Sequence, residues 1–398
     1  MTLRLAVLIS HPIQYFAPWH REVAKLKTID LRVYFCCDWG LNGYTDPQFQ
    51  TSVQWDIPLL EGYGHEFLPI ARRPKRLSFW EVDNPQVARA LDRFDPDLLQ
   101  VFGYAHRTHW RAARWAHDRR KPLLLFSDSN ANAQCAWWKQ AAKQIIVRQF
   151  YSWVDGALFV SDSNRAYHIN YGLSEDRLFP GVLPIDRSRL LAGVQDRSTA
   201  RRAIRERLGI PQEAFVVMFC GKYAALKRPL DLVAAAWTAA QKGLPIWSLL
   251  VGEGPERAAI EDFCRVEKVS NAVLTGFINQ SIIPEYYAAS DLVVLTSSRE
   301  AYGLVASEGA SFGLPIVVSD QAGCIGQNST AQAGINAIVY PCGNRELLRE
   351  AIETLYKDKA LYAIMSTASA RISEGQDVTA AANALAAASL ELQKLGVR

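Results

Sequence analysis

"FVVMFCGKYAALKRPLDL", residues 215–232, runs through six apolar residues to a glycine, crosses a loop with two lysines and reaches a proline before an apolar-rich stretch. A β-branched apolar run of that length is too short for a helix and reads as a strand buried on both faces, as in a parallel sheet. Gly221 permits the tight turn off the strand, and Pro229 suits the first position of a helix. Lys222 and Lys227 occupy the loop between them. A strand end and a helix start that present backbone N–H groups beside two ammonium groups suit a diphosphate. On these residues alone, a solvated loop with surface lysines is the favoured reading.

The same strand–loop–helix rhythm extends in both directions. Downstream come "WSLLVGEG", "AVLTGF", "DLVVLTSS", "PIVVSD" and "AIVY", with helical patterns over 229–242, 255–268, 281–290, 304–312 and 345–356. Upstream come "RLAVLIS", "LRVYFC", "DLLQVF", "PLLLFSD" and "GALFVS", alternating with helical patterns over 15–27, 83–94, 106–119, 134–153 and 162–171. Alternation of this kind is the signature of βαβ units. The chain therefore reads as α/β: two Rossmann-like doubly wound domains facing a central cleft, where the carboxyl ends of their strands would bind ligands. We read residues 1–190 as one domain and 191–375 as the other, with the charged "DRSTARRAIRERLGIPQEA" as a connecting segment. The Ala-rich 376–398 reads as a final helix that packs on, or crosses back to, the first domain.

Composition narrows the class. A chain of 398 residues exceeds one ordinary core and predicts two to three domains at roughly 150 residues each. The seven cysteines form no CxxC pair and no zinc-type cluster, which predicts a reduced, cytosolic chain without a structural metal. No apolar run approaches the roughly 20 residues that span a bilayer, so any membrane contact is expected to be peripheral. Residues 1–190 hold 24 Lys+Arg against 19 Asp+Glu, and all seven histidines, whereas residues 191–398 hold 20 against 21. The acidic balance of the second half disfavours nucleic acid as a partner. Asp95-Pro96-Asp97 reads as a turn before a strand rather than as a metal-binding pair.

A second stretch adds carboxylates to the lysines. "REAYGLVASEGASFG", residues 299–313, leaves a strand at Glu300 and enters a helix after Tyr302-Gly303-Leu304. Gly303 allows close backbone approach, and the free N–H groups of the helix start suit a second phosphate. Glu308 falls one to two turns into that helix, within reach of a hydroxyl pair beside the phosphate. A carboxylate accepting from both ribose hydroxyls is ordinary chemistry for such a position. Helix start, lysines and carboxylate together describe a nucleoside diphosphate site.

Residues 203–356 resemble the donor-binding domain of family 4 retaining glycosyltransferases of the GT-B fold. The resemblance rests on six pieces in order: "RERLGIPQEAFVVMFCGKY", Lys227 six residues after Gly221, "LLVGEGPERAAIE", "VLTGFINQSIIPEYYAASDLVVLTSS", the Glu-x7-Glu of Glu300 and Glu308, and "SEGASFGLPIVVSD". It implies that Glu308 holds the ribose and Glu300 contacts the donor sugar. Lys222 and Lys227 would neutralise the departing diphosphate beside Gly221 and the backbone of Tyr302, Gly303 and Leu304. Phe277 and Ile278 would line the base. The implied mechanism needs no metal or other cofactor; the acceptor hydroxyl attacks on the face that the phosphate leaves, and a phosphate oxygen takes its proton. Two departures are Lys222, where the family has an arginine with a bidentate fork, and Ala301, where glycine or proline is common.

The resemblance is weaker before residue 200, where acceptors differ. "HPIQYF" is similar to a subgroup of bacterial members involved in surface polysaccharides, and it points to His11, Gln14 and Tyr15 as acceptor-binding residues. Two further strand ends face the same way, the first carrying Tyr104 and His106 and the second Ser127, Asp128 and Ser129. Many relatives have a histidine at the second of these, and Asp128 is the candidate acid or weak base here, with a helix N-cap as its structural alternative. His20, His65, His109, His117 and His168 read as surface or core residues. The interleaved basic and aromatic residues of "ARRPKRLSFW" and "CAWWKQAAKQIIVRQFYSW" suit either a partly buried helix or an interfacial one. In the second case Trp137, Trp138, Lys139 and Lys143 would meet anionic lipid at the inner face of the membrane. Arg72, Arg73, Lys75 and Arg76 form an alternative phosphate site.

The expectation is thus a hexosyltransferase that moves a sugar from a UDP- or GDP-sugar to a glycan or lipid-linked acceptor in cell-surface polysaccharide synthesis. Two other readings fit the same motifs: a sugar-nucleotide epimerase of this fold and a non-catalytic nucleotide-sugar-binding subunit.

Overall fold

The computed structural model describes residues 2–41, 43–46, 51–70, 72–130 and 137–397. The chain divides into two compact units, one of Met1–Asn42, Pro58–Pro184 and Val378–Arg398, the other of Gly43–Ile57 and Ile185–Asp377. The sequence reading groups residues 43–57 with the first half; in the structure they are counted with the second unit.

The first unit is built on strands β1 (Leu3–Ile9), β2 (Ile29–Phe35), β5 (His65–Phe67), β6 (Leu98–Phe102), β7 (Leu123–Phe126), β8 (Gly156–Phe159) and β9 (Leu178–Pro180). They pair in parallel in the order β5-β2-β1-β6-β7-β8-β9. Strands β3 (Tyr44–Asp46) and β4 (Thr51–Val53) form a separate antiparallel pair. The second unit holds β10 (Phe215–Cys220), β11 (Ile246–Val251), β12 (Ala272–Leu274), β13 (Leu292–Leu295), β14 (Ile316–Ser319) and β15 (Ala337–Tyr340). These are again parallel, in the order β12-β11-β10-β13-β14-β15. The α/β class and the doubly wound sheets agree with the sequence reading. Continuous aliphatic strands such as "LRLAVLI" and "FVVMFC" are covered by helices on both faces, so they carry no polar alternation. In each sheet the winding reverses once, between β1 and β6 and between β10 and β13. At those two places the following loops leave in opposite directions and open a crevice at the strand ends.

Two stretches differ from expectation. The charged 196–214 is no mere connector: Asp196 caps the helix Arg197–Arg207, accepting from the Ser198 backbone N–H at 2.9 Å. Its arginines turn inward. Arg205 is fully buried; it donates to the carbonyl oxygens of Gln212, Ala214 and Ala289, and to Asp291 at 2.8 Å. Arg201 takes the other Asp291 oxygen at 2.7 Å, and the Val216 N–H also donates to Asp291. Polar residues thus fasten this helix to the starts of β10 and β13, which hydropathy patterning does not register. The helix Lys359–Glu374 is the second addition. The Ala-rich Val378–Leu395 is one helix, counted with the first unit and packed on Phe16–Lys25, β8 and β9. Asp95, in a left-handed conformation, ends the helix Val87–Phe94 and pairs with Lys121, while Asp97 accepts from the Arg4 N–H, which makes this stretch a turn.

His20, His109 and His168 lie in the core of the first unit. Burial holds each ring's basicity down, from 6.5 to about 3. Below pH 6.5 an unfolded chain takes up protons that the folded chain refuses until about pH 3. Stability therefore falls progressively as pH drops through that window, each histidine contributing a slope approaching about 1.4 kcal/mol per pH unit. Replacing His20 by Phe keeps a ring beside Trp19 and Tyr63 and removes one titrating group. Urea midpoints of His20→Phe between pH 7 and pH 4 should decline less steeply than those of the wild type. Asp291→Ala should cost the second unit about 3–5 kcal/mol in denaturant unfolding, because it leaves the Arg205 charge buried without its counter-ion.

Candidate functional site

The crevice of the second unit gathers most of the residues marked in sequence. Strand β10 ends at Cys220, and Gly221 follows with φ 151°. A Cβ on Gly252, which follows β11, would lie 1.8 Å from the Gly221 carbonyl oxygen, so the two strand ends meet only because Gly252 lacks a side chain. The chain then passes Lys222, makes one 3-10 turn at Ala225–Lys227 and enters the helix at Pro229.

Across the reversal, the loop after β13 is bonded to that turn. The Ser298 N–H donates to the Leu226 carbonyl at 2.8 Å, and the Thr296 hydroxyl to the Lys227 carbonyl at 2.6 Å. Lys227 Nζ in turn donates to Glu300 Oε2, which also accepts from the Ser297 hydroxyl at 3.1 Å. Both members of the ion pair are largely shielded from solvent without being sealed. An ammonium group and a carboxylate read from opposite ends of the domain sequence are therefore one polar cluster.

Gly303 caps the helix Leu304–Ser311 with φ 106° and ψ 64°. A Cβ there would lie 2.4 Å from Leu295 Cδ2 and 3.3 Å from Glu300 Cγ. A glycine is thus required both by the left-handed backbone and by the approach of the helix start to Glu300. Tyr302, read as a donor-binding residue, spends its side chain elsewhere: it is buried, with its hydroxyl shared with Thr330 at 3.0 Å and Gln376 at 3.2 Å. Any ligand contact at this position falls to the backbone.

Glu308 is buried, and one of its oxygens, Oε2, accepts from the Tyr287 hydroxyl at 2.5 Å. Tyr287 stacks on Phe312 at 5.6 Å. The Cys220 thiol also bonds to Tyr287, and burial with the nearby Glu308 charge raises its pKa to about 12, so it stays protonated. Tyr287 escaped sequence reasoning. Its only signal there is its place in an apolar helix, which reads as core. Phe277 and Ile278 are half-buried on the loop after β12, beyond Gly276. Phe277 has a neighbour from a distant part of the sequence, Trp55, with ring centroids 6.1 Å apart.

The crevice of the first unit, between β1 and β6, carries histidines. His11 bonds to the Ser10 hydroxyl at 2.8 Å; burial, then the nearby His106, lowers its pKa to about 4. His106 is lowered by burial as well and packs edge-on to His109, 5.2 Å between ring centroids. His109 bonds to the Gly103 carbonyl at 3.1 Å. All three rings are neutral at pH 7. His106 Nδ1, His109 Nε2 and the Ser127 hydroxyl are buried with no hydrogen-bond partner among the described residues. Buried polar atoms seldom remain so, which marks this strand-end cluster as a place that could accommodate a hydroxyl-bearing ligand. Gln14 and Tyr15 are half-buried at the start of the helix Phe16–Lys25. The Tyr104 hydroxyl meets that of Tyr167 and its ring packs on Phe150, while Asp128 is exposed at the end of β7.

Arg73 pairs with Asp38 at 3.4 Å, and Arg76 with Glu81 at 3.0 Å. Lys143, a lipid-facing candidate if the helix is interfacial, sits over the Tyr167 ring at 5.0 Å. The side chains of Trp137, Trp138 and Lys139 lie outside the described residues. No described helix is long and apolar enough to cross a membrane.

Comparison with known proteins finds similarity over most of the second unit. Residues 200–371 match the family model of glycosyl transferases group 1. Over 167 residues the chain is 29% identical to an alpha-D-kanosaminyltransferase of Streptomyces kanamyceticus, covering 42% of each protein. It is 26% identical to a D-inositol 3-phosphate glycosyltransferase of Catenulispora acidiphila over 70% of this chain and 71% of that one. The curated relatives of higher identity are matched over only about a third to two fifths of their length. Among solved structures, Anabaena HepE in complex with UDP and glucose superposes with a TM-score of 0.70 at 18% identity, covering 97% of this chain and 98% of that one. Residues 200–371 thus match the group 1 glycosyl transferase model, and the chain as a whole has the GT-B fold.

Proposed function

We propose that the chain is a retaining glycosyltransferase that moves a hexose from a UDP- or GDP-sugar to a hydroxyl of a glycan or lipid-linked acceptor. The observation that carries this reading is the contact of Lys227 with Glu300 at the strand reversal of the second unit. In a nucleoside diphosphate sugar the hydroxyls of the sugar lie one C–O–P linkage from the phosphate. A site that binds both needs a cation for the phosphate and a carboxylate for the hydroxyls within a few ångströms of each other. Lys227 and Glu300 supply that pair, beside the helix start at Gly303 and Leu304. Lys222 adds a second positive charge on the same loop.

In this reading Glu308 accepts from the ribose hydroxyls, and Tyr287 holds its carboxylate in one rotamer. Phe277 and Ile278 take the base. The bond from the anomeric carbon to the diphosphate oxygen breaks as the acceptor oxygen bonds to that carbon on the same face, and a phosphate oxygen receives the hydroxyl proton. Lys222, Lys227 and the N–H groups of the helix start stabilise charge that grows on the leaving diphosphate; they account for catalysis without a nucleophilic side chain. The acceptor is assigned to His11, Gln14, Tyr15, His106 and Asp128 in the first unit, where polar atoms of His106, His109 and Ser127 are buried with no hydrogen-bond partner among the described residues. The GT-B neighbours include HepE bound to UDP-glucose and the lipopolysaccharide glycosyltransferase WaaG, which supports a UDP-sugar and a role in surface polysaccharide synthesis. The exposed Ile145 and Ile146, on the helix Trp137–Tyr151, suit peripheral contact with a membrane that carries such an acceptor.

Nucleotide release from a panel of UDP-, GDP- and ADP-sugars, with and without lipid extract, tests the assignment. Release from one donor, stimulated by extract and abolished in Glu308→Ala, is the expected result, with the anomeric configuration of the donor preserved in the product by NMR. Binding of donors without release from any of them would instead indicate a non-catalytic nucleotide-sugar-binding subunit. Lys227→Ala should lower kcat on the order of a hundredfold, as loss of a preorganised cation does. Tyr287→Phe should raise KM for the donor roughly tenfold and leave kcat nearly unchanged, because the hydrogen bond it removes orients a binding group.

A further inference from the structure

Residues 54–56 come from the first half of the sequence, yet they are fastened to the loop after β12 in the second unit. The Asn279 side-chain amide donates to the Gln54 carbonyl at 2.6 Å. The Asp56 carboxylate accepts from the Ser281 N–H, at 3.1 and 3.2 Å to its two oxygens, and also from the Ser281 hydroxyl. On the other side, Arg189 grips the same loop through the Gln280 carbonyl at 2.6 Å and the Gln280 side chain at 2.9 Å. Between these anchors Trp55 and Phe277 meet at an interplanar angle of 61°, both half-buried. The bonds hold the backbone on each side of Trp55, so the indole is positioned rather than trailing.

We propose that Trp55, anchored through Asp56 and Gln54, is a specificity-determining residue for the nucleobase, forming with Phe277 an aromatic corner for the flat heterocycle. This rests on the reading of the second unit as a nucleoside diphosphate sugar site. Two rings set at a steep angle let a base stack on one face and meet the edge of the other. Neither ring carries a positive charge for a phosphate. Stacking on aromatic side chains favours planar heterocycles, and its loss weakens binding of the base alone.

The experiment is calorimetric titration of the full chain with UDP, GDP and inorganic pyrophosphate. Trp55→Ala should weaken the preferred nucleoside diphosphate on the order of tenfold and leave pyrophosphate unchanged. Trp55→Phe should retain most of the affinity, and Asp56→Asn should lose a part of it by loosening the anchor. Unchanged nucleoside diphosphate affinity in both Trp55→Ala and Asp56→Asn, with binding lost in Glu308→Ala, would overturn the inference and leave the donor site standing. An equal loss for pyrophosphate would also overturn it, since that is what general disruption of the loop produces. Failure of the wild type to bind any nucleoside diphosphate would remove both readings together.

Discussion

The constraint on which the candidate site depends is the single reversal of winding in each parallel sheet. Crossover connections keep one hand, so a sheet that grows from a central strand in both directions must send the loops of its two middle strands to opposite faces. In the second unit those strands are β10 and β13, and their loops carry Lys222, Lys227 and Glu300. In the first unit they are β1 and β6, whose loops carry His11 and His106. The candidate residues sit where the topology leaves backbone uncovered.

Local packing then sharpens what topology provides. Gly252 lets the Gly221 carbonyl approach far closer than any side chain would permit, and Gly303 brings the start of Leu304–Ser311 against Leu295 and Glu300. Burial of Glu308 and its hydrogen bond from Tyr287 fix the direction of a carboxylate that a solvated helix surface would leave mobile. The histidine cluster of the first unit works through the same physics: low polarity keeps the rings neutral, and so able to accept as well as donate.

Much of this was legible in sequence because parallel strands buried on both faces leave an unbroken aliphatic record. β6, β9, β10 and β11 each run into a glycine and β14 into Asp320, which hydropathy alone would not select. Gly221, Lys227, Gly303 and Glu308 could be read from their offsets to strand ends. What was not legible travels through space rather than along the chain. Arg205 and Asp291 are 86 residues apart and look like surface charges until the helix Arg197–Arg207 folds them inward. Tyr302 adjoins a marked glycine, yet its hydroxyl is held by Thr330 and Gln376. Trp55 reaches Phe277 across more than two hundred residues, and no local pattern announces it.

The central claim is that the cluster of Lys222, Lys227, Glu300 and Glu308 receives a nucleoside diphosphate sugar. A crystal structure of the chain soaked with the donor it binds tests this most directly. The account predicts the diphosphate between Lys222, Lys227 and the N–H groups at Gly303 and Leu304, the ribose on Glu308 and the sugar hydroxyls on Glu300. A nucleotide bound elsewhere, with the Lys227–Glu300 contact and its surroundings unchanged, would contradict it.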